Sequence, residues 1–257
     1  MVCRLIPILA LVAAAACQAA PTAAPTPLRV FSSNGVRALL DDAKADLERA
    51  AGRPIAFDFT TAAALRRRID GGDVPDVAVL TTPLIADLTT QGRLAAGSAR
   101  DLARVGVGAA VRAGAATPAI DTPDAFKALL LGARSIAFTA EGQSRATIDA
   151  AFARLDVVAA MQPKTQLLGP GEAAGAVARG EAEVVLTLVS ELVDVPGVQL
   201  LGPLPPALQT YVTFTAARGA GAEDPAAADR LVAAMAASAT AVRLARLGLE
   251  PAPAPAR

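Results

Sequence analysis

The chain has 257 residues, enough for one large domain or two small ones. Its 24 basic and 24 acidic residues cancel, which removes the electrostatic footprint of a nucleic-acid binder. Aromatic residues make up 3%, with one Tyr and no Trp, and His is absent, so stacking platforms, Ser-His-Asp triads, Cys-His pairs and His-ligated metals all fall away.

Both cysteines, Cys3 and Cys17, lie in the first seventeen residues, so no disulfide can form in the body of the chain. Residues 1–16 read as a secretory signal peptide. Arg4 precedes an apolar run over residues 5–16, which is too short to cross a bilayer and is followed by small residues. Two cleavage readings stand. One cuts after Ala14, Ala15 and Ala16. The other reads "AAAC" as a bacterial lipobox, which makes Cys17 the lipidated first residue of the mature chain, although Ala14 stands where a lipobox usually carries Leu. Residues 17–27, rich in Ala, Pro and Thr, form a tether. Either way the protein is exported, as a periplasmic protein or a membrane-anchored lipoprotein.

From Leu28 onward, strands and helices alternate. "LRVFSS" reads as a strand, and Ser32, Ser33, Asn34 and Gly35 turn the chain into an amphipathic helix. That helix carries Val36, Leu39, Leu40, Ala43, Leu47 and Ala50 on one stripe, with Gly52 at its C-terminal end. Ile55, Phe57 and Phe59 alternate as in a strand. Next come the helix "ALRRRID", stopped by Gly71 and Gly72, the strand "DVAVLT" and the helix "PLIADLTTQG". This succession predicts a parallel sheet covered by helices.

Around Arg104 a long strand, "RVGVGAAVRAG", begins. Thr122 and Pro123 then open a helix as N-cap and first helical residue. A second series follows: strand "SIAFT", helix "RATIDAAFARL", strand "KTQLL", helix "EAAGAVARG" and strand "EVVLTLV". A Pro-rich passage, "LGPLPPALQ", leads to the strand "TYVTFTAA" and two final helices. The expectation is an α/β protein of two lobes, with ligands held at the carboxyl ends of the strands.

Four loops stand where strands hand over to helices: Ser32 to Gly35; Thr60 to Ala63; Gln143, Ser144 and Arg145; and Gly169 to Ala173. Helix starts present unpaired N–H groups and the positive end of the helix dipole, and Ser and Thr hydroxyls add neutral donors, so several together suit a small anion. Each loop taken singly is equally an ordinary cap. Arg145, the one cation in these loops, suits a ligand carboxylate or oxyanion, or simply water. Arg66, Arg67 and Arg68 read as the wet face of a helix. Glu172 suits a helix start and would repel an anion if it pointed inward. No pair of carboxylates stands out for acid–base chemistry.

The segments "VFSSNGVRALL", "FTTAAALRRRIDGGDVPDVAVLT", "ARSIAFTAEGQSRATIDAAFARL", "GPGEAAGAVARGEAEVVLTLVSEL" and "AVRLARLGLEP" together resemble the molybdate-type periplasmic substrate-binding proteins of ABC transporters, over about residues 28–251. The resemblance implies the type 2 periplasmic-binding-protein fold, each lobe a mostly parallel sheet flanked by helices. It also implies that the chain crosses between lobes near Val107 and near Thr210, so that residues 28–107 and 210–257 form lobe 1 and residues 108–209 form lobe 2. It implies a small anionic solute, a molybdate-like oxyanion, held by Ser32, Ser33, Asn34, Thr61, Ala62, Ser144, Arg145 and Ala173. It implies as well delivery to an ABC permease, a monomeric protein, no catalysis and no cofactor.

Three departures set this chain apart from molybdate binders. Thr60 and Thr61 precede three alanines where a Ser-rich loop is usual, Leu188 stands beside Thr187 where a Tyr is common, and Arg145 adds a charge. These departures open the ligand to a small carboxylate or another anion, and two other readings stand beside the first. One is a surface lipoprotein with a degenerate cleft that senses or scaffolds. The other is a carboxylate-acting enzyme on the same scaffold, for which Glu141 and Glu172 are the acidic residues near the loops.

Overall fold

The computed structural model describes residues 25–253. The signal peptide, Cys17 and residues 17–24 of the tether lie outside them.

Strand β1 (Leu28–Ser33) passes through a 3-10 turn (Asn34–Val36) into α1 (Arg37–Ala51); β2 (Ile55–Thr60), α2 (Ala62–Asp70), β3 (Val77–Thr81) and α3 (Thr82–Thr90) follow. Helix α1 buries Leu39, Leu40, Ala43 and Leu47 of the stripe legible in its sequence, while Val36 is buried in the turn before it and the last buried position is Ala51 rather than the exposed Ala50; the helix ends at Gly52 in the left-handed region at φ 72°. Thr61 caps α2 by accepting a hydrogen bond from the Ala64 N–H at 3.2 Å. The long strand β4 (Arg100–Arg112) precedes α4 (Pro123–Gly132), which Thr122 caps and Pro123 opens.

The remaining elements are β5 (Ile136–Thr139), α5 (Arg145–Arg154), a short α6 (Val158–Met161), β6 (Thr165–Leu168), α7 (Ala173–Arg179), β7 (Val184–Leu188), β8 (Val198–Pro203), β9 (Tyr211–Arg218), α8 (Pro225–Ser238) and α9 (Ala241–Arg246). Among the described residues they make one curled sheet in the order β2-β1-β3-β9-β4-β7-β5-β6, with β8 alongside β4. The sheet is mixed. Strand β1 runs parallel to β2 and β3, and β5 runs parallel to β6 and β7, whereas β9 and β4 pair antiparallel with their neighbours.

Strand β4 belongs to both ends of this sheet. It pairs with β9 up to Gly106 and with β7 from Val107 onward. The change of partner is held by Gln209, whose amide donates to the Val107 carbonyl at 2.8 Å and accepts from the Val107 N–H at 2.9 Å. A Cβ on Gly106 would sit 2.6 Å from Gln209 Nε2 and push this amide out of place. Leu28, Val30, Val77, Val79, Val105 and Phe214 fill the core on one side, with Ile136, Phe138, Ile148 and Leu186 on the other. Each such side chain, fully buried, stabilises the fold by about 1.5–3 kcal/mol relative to exposure.

Three features depart from the sequence reading. Strand β8 opens ahead of the Pro-rich passage and runs into it; because it pairs only with β4, its terminal Pro203 leaves no ladder bond broken. Strand β4 starts at Arg100, four residues earlier than the alternation suggests, since its exposed first residues, Arg100 and Asp101, still pair with β9. The arginine run on α2 is only partly wet. Arg66 pairs with Asp70 and Asp87, and Arg68 with Asp58 and Asp73 while lying 4.2 Å from the Phe31 ring centre; Arg67 alone is exposed.

Candidate functional site

Because β1 and β2 are parallel to each other, as are β5 and β7, their carboxyl ends bring Ser33, Thr61, Thr139 and Thr187 to one cleft. Two adjoining cavities share Asn34, Thr139, Gly171, Thr187 and Glu191. The inner one, about 20 Å3, also touches Ser33, Thr61, Gly142, Gln143, Ser144 and Leu188. It has room for little more than one water-sized group. The outer one, about 470 Å3, opens between Arg37, Ala38, Asp41 and Phe59 on one wall and Pro170, Ala173, Ala174 and Ser190 on the other. That volume lies within the range of small-molecule sites, on the order of 300–1,000 Å3.

The turn after β1 is pressed against the opposite wall. A Cβ on Gly35 would lie 2.5 Å from Phe214 Cζ and 2.7 Å from Leu188 Cδ1, so only Gly fits. Leu188, at the position where the resemblance expects a Tyr, therefore packs against this turn. Ser190 donates its hydroxyl proton to the Gly35 carbonyl at 2.7 Å, and Thr147 and Thr210 share a hydrogen bond nearby. At the rim, both terminal nitrogens of Arg67 lie 3.2 Å from one Glu141 carboxylate oxygen.

Ser33 and Ser144 are almost fully buried, yet neither side chain caps its own helix. Their hydroxyls are thus left to face the cleft. The charged side chains along the cleft are Arg37, Asp41 and Glu191. Arg37 is loosely held, with Nε 3.4 Å from Asp41 Oδ2 and its guanidinium 4.8 Å from the Phe59 ring centre.

Glu191 differs from the other two. Glu191 lines both cavities and is half-buried, with protein packed closely around its carboxyl. Burial pushes the acid above its ordinary value, a hydrogen bond donated by Thr187 pulls the other way, and among the described residues no cation offsets the burial.

Of the residues singled out in the sequence, Ser33, Asn34, Thr61, Ser144 and Ala173 line these cavities. Ser32 is buried behind them, its hydroxyl donating to the Ser33 carbonyl at 3.2 Å. Ala62 is buried at the start of α2, outside both linings. Arg145 also lies outside both; its Nε is 2.8 Å from each Asp149 carboxylate oxygen, and one terminal nitrogen reaches the Ala140 carbonyl at 3.4 Å. Glu141 is paired with Arg67, and Glu172 accepts from the Gly169 N–H at 2.9 Å. The sequence reading passes over Arg37, Thr139, Ser190 and Glu191. Glu191 carries one sequence signal, its position four residues after a Thr at a strand end, which lets a single turn bring the two side chains together. Among the described residues no cluster of His, Cys, Asp and Glu suits a metal ion, and no helix is long and apolar enough to cross a membrane.

Residues 28–250 match the family model described as bacterial extracellular solute-binding protein. A protein of Pseudomonas sp. named aconitate isomerase is 30% identical over 237 residues, covering 89% of each chain. The periplasmic molybdate-binding protein of Azotobacter vinelandii superposes with a TM-score of 0.69 at 16% identity, over 86% of this chain and 98% of its own. A sulfate-binding protein of Mycobacterium tuberculosis gives 0.68 at 16% identity, over 88% and 87%. At that identity the last two speak for the fold, the type 2 periplasmic-binding-protein architecture.

Proposed function

The chain belongs to the bacterial extracellular solute-binding protein family, and on that premise we propose that its cleft binds a small polycarboxylate. The observation that carries this reading is the shape and chemistry of the cleft. A hydroxyl-lined inner end large enough for one small polar group opens into a chamber several times the size of a tetrahedral oxyanion, with Arg37 on its wall. One carboxylate of the ligand occupies the inner end, where Ser33, Thr139 and Ser144 and the start of α5 donate hydrogen bonds. The others lie outward, toward Arg37. A compact dianion such as molybdate would instead sit against the Glu191 carboxyl with no cation beside it.

In this role residues 28–107 with 210–257, and residues 108–209, act as two lobes that close on the ligand, and the protein, a monomer, hands it to an ABC permease. Lipidation at Cys17 would tether it to the membrane for that transfer.

A second reading is favoured by a specific observation: the relative at 30% identity over 89% of the chain is named aconitate isomerase. On this reading the cleft not only holds an unsaturated tricarboxylate but converts it.

A thermal-shift screen against molybdate, tungstate, sulfate and small carboxylates tests the binding reading, with an external dye because the chain has no Trp. Ligand at a hundredfold excess over Kd adds about 2.7 kcal/mol of stability. A shift with trans-aconitate or a related polycarboxylate supports the reading. A shift with molybdate or tungstate alone overturns it, and no shift with any anion points to a degenerate cleft.

A further inference from the structure

Glu191 is an unusual group to find in an anion-binding cleft. It lines both the inner and the outer cavity, and Thr187 is its hydrogen-bond partner. A residue serving only to grip anions would be a donor, and one serving only the fold would be paired with a cation, as Asp73 is with Arg29 and Arg68. The other charged groups on the surrounding elements are accounted for. Arg37 and Asp41 face each other on α1, Glu141 pairs with Arg67 at the rim, and Glu172 is tied to the Gly169 N–H. Among the described residues, Glu191 is left as the cleft carboxyl with no charge partner.

Resting on the carboxylate reading above, the geometry points to Glu191 as a catalytic residue that carries a proton between two carbons of a bound unsaturated carboxylate. The ionised carboxylate removes a proton from the CH2 group next to the ligand's double bond, so a C–H bond breaks and an O–H bond forms. The electron pair of that C–H bond becomes the new C=C, and the pair of the old C=C moves to the far carbon, where the adjoining carboxylate spreads the charge. Glu191 then returns its proton to that far carbon. The double bond has moved by one position, the residue ends as it began, and nothing is oxidised or reduced. Hydroxyls of Ser33, Thr139 and Ser144, fixed in the inner cavity, stabilise the charge that develops on the ligand. Burial supports the role, since it raises the carboxyl above its ordinary value and so makes its ionised form a stronger base. Thr187 acts as a positioning residue, and its hydrogen bond stabilises the ionised form.

The test follows trans-aconitate by proton NMR in D2O with the full chain, alongside a thermal-shift measurement of binding. Wild type is expected to bind, to exchange the CH2 protons for deuterium and to form the cis isomer. Glu191→Gln is expected to bind and to melt cooperatively, but to exchange at least 100-fold more slowly. Glu191→Asp is expected to retain partial activity, and Thr187→Val to move the rate-against-pH profile to higher pH, a shift that a purely structural role would not give. Binding by wild type with no exchange overturns the proton-transfer role while leaving the carboxylate reading standing. An undiminished rate in a folded Glu191→Gln variant overturns the assignment to Glu191. Absence of binding overturns both readings.

Discussion

Ser190 donates its hydroxyl proton to the carbonyl of Gly35, 2.7 Å away and 155 residues earlier in the chain. This bond joins the end of β7 to the turn after β1, directly beside the cleft, and the Gly35 backbone is buried there. Ser190→Ala leaves that carbonyl without its side-chain donor and is expected to cost about 1–3 kcal/mol. Gly35→Ala forces a methyl group into Phe214 and Leu188 and is expected to cost a similar ~1–3 kcal/mol. Thermal denaturation should show each as a fall in midpoint of about 2–4 °C per kcal/mol. Gly35→Ala should also weaken ligand binding, because it shifts the turn that places Ser33 and Asn34.

The raised pKa of Glu191, a consequence of its burial, sets a pH dependence of stability. An acid whose folded value lies above its ordinary 4.5 binds more protons in the folded state than in the unfolded one between the two values. Stability contributed by the protonated form is therefore present at low pH and lost as pH rises through that window. Glu191→Gln, which keeps the shape without the charge, should match the wild type near pH 4 and exceed it at pH 8, with the difference opening between. Denaturant midpoints across that range check it. Equal midpoints at pH 8 would show that the carboxylate is well solvated.

The Arg67–Glu141 pair joins α2 to the loop after β5, next to Gly142 of the inner cavity, but each side chain is 64% exposed. Such a pair contributes about 0–1 kcal/mol and is screened by salt. Glu141→Gln should accordingly weaken ligand binding by no more than about fivefold, and the effect should vanish in about 1 M salt, where the screening length is roughly 3 Å. Calorimetric titration at two ionic strengths reads both numbers. A larger, salt-independent loss would mean that Glu141 touches the ligand.

Much of the fold is legible in the sequence because it is written in local signals. The stripe of α1, Gly52 at its end, and Thr122 with Pro123 before α4 each depend on neighbours within one or two turns. Strand β8 is not, because its pairing with β4 joins residues about ninety apart in the chain and its sequence ends on Gly202 and Pro203. The cleft divides in the same way. Ser33, Asn34, Thr61 and Ser144 announce themselves at the handover from strand to helix. Glu191 depends on walls from distant parts of the chain, and nothing near it in sequence states that no cation will face it. Arg145 is the converse case. It stands out as a cation in a loop, but Asp149 four residues later is an intrahelical partner that explains it locally.

The most direct measurement is a calorimetric titration of trans-aconitate into the wild-type protein and into a Ser33→Ala, Ser144→Ala double variant that melts at the wild-type temperature. If these two buried hydroxyls hold a ligand carboxylate in the inner cavity, wild type should bind one equivalent saturably. Each lost charge-assisted hydrogen bond is worth about 1.5–3 kcal/mol, so the double variant should bind at least ~100-fold more weakly. Equal affinity in the two proteins would contradict the account, because the ligand would then lie outside the cleft that these strand ends build.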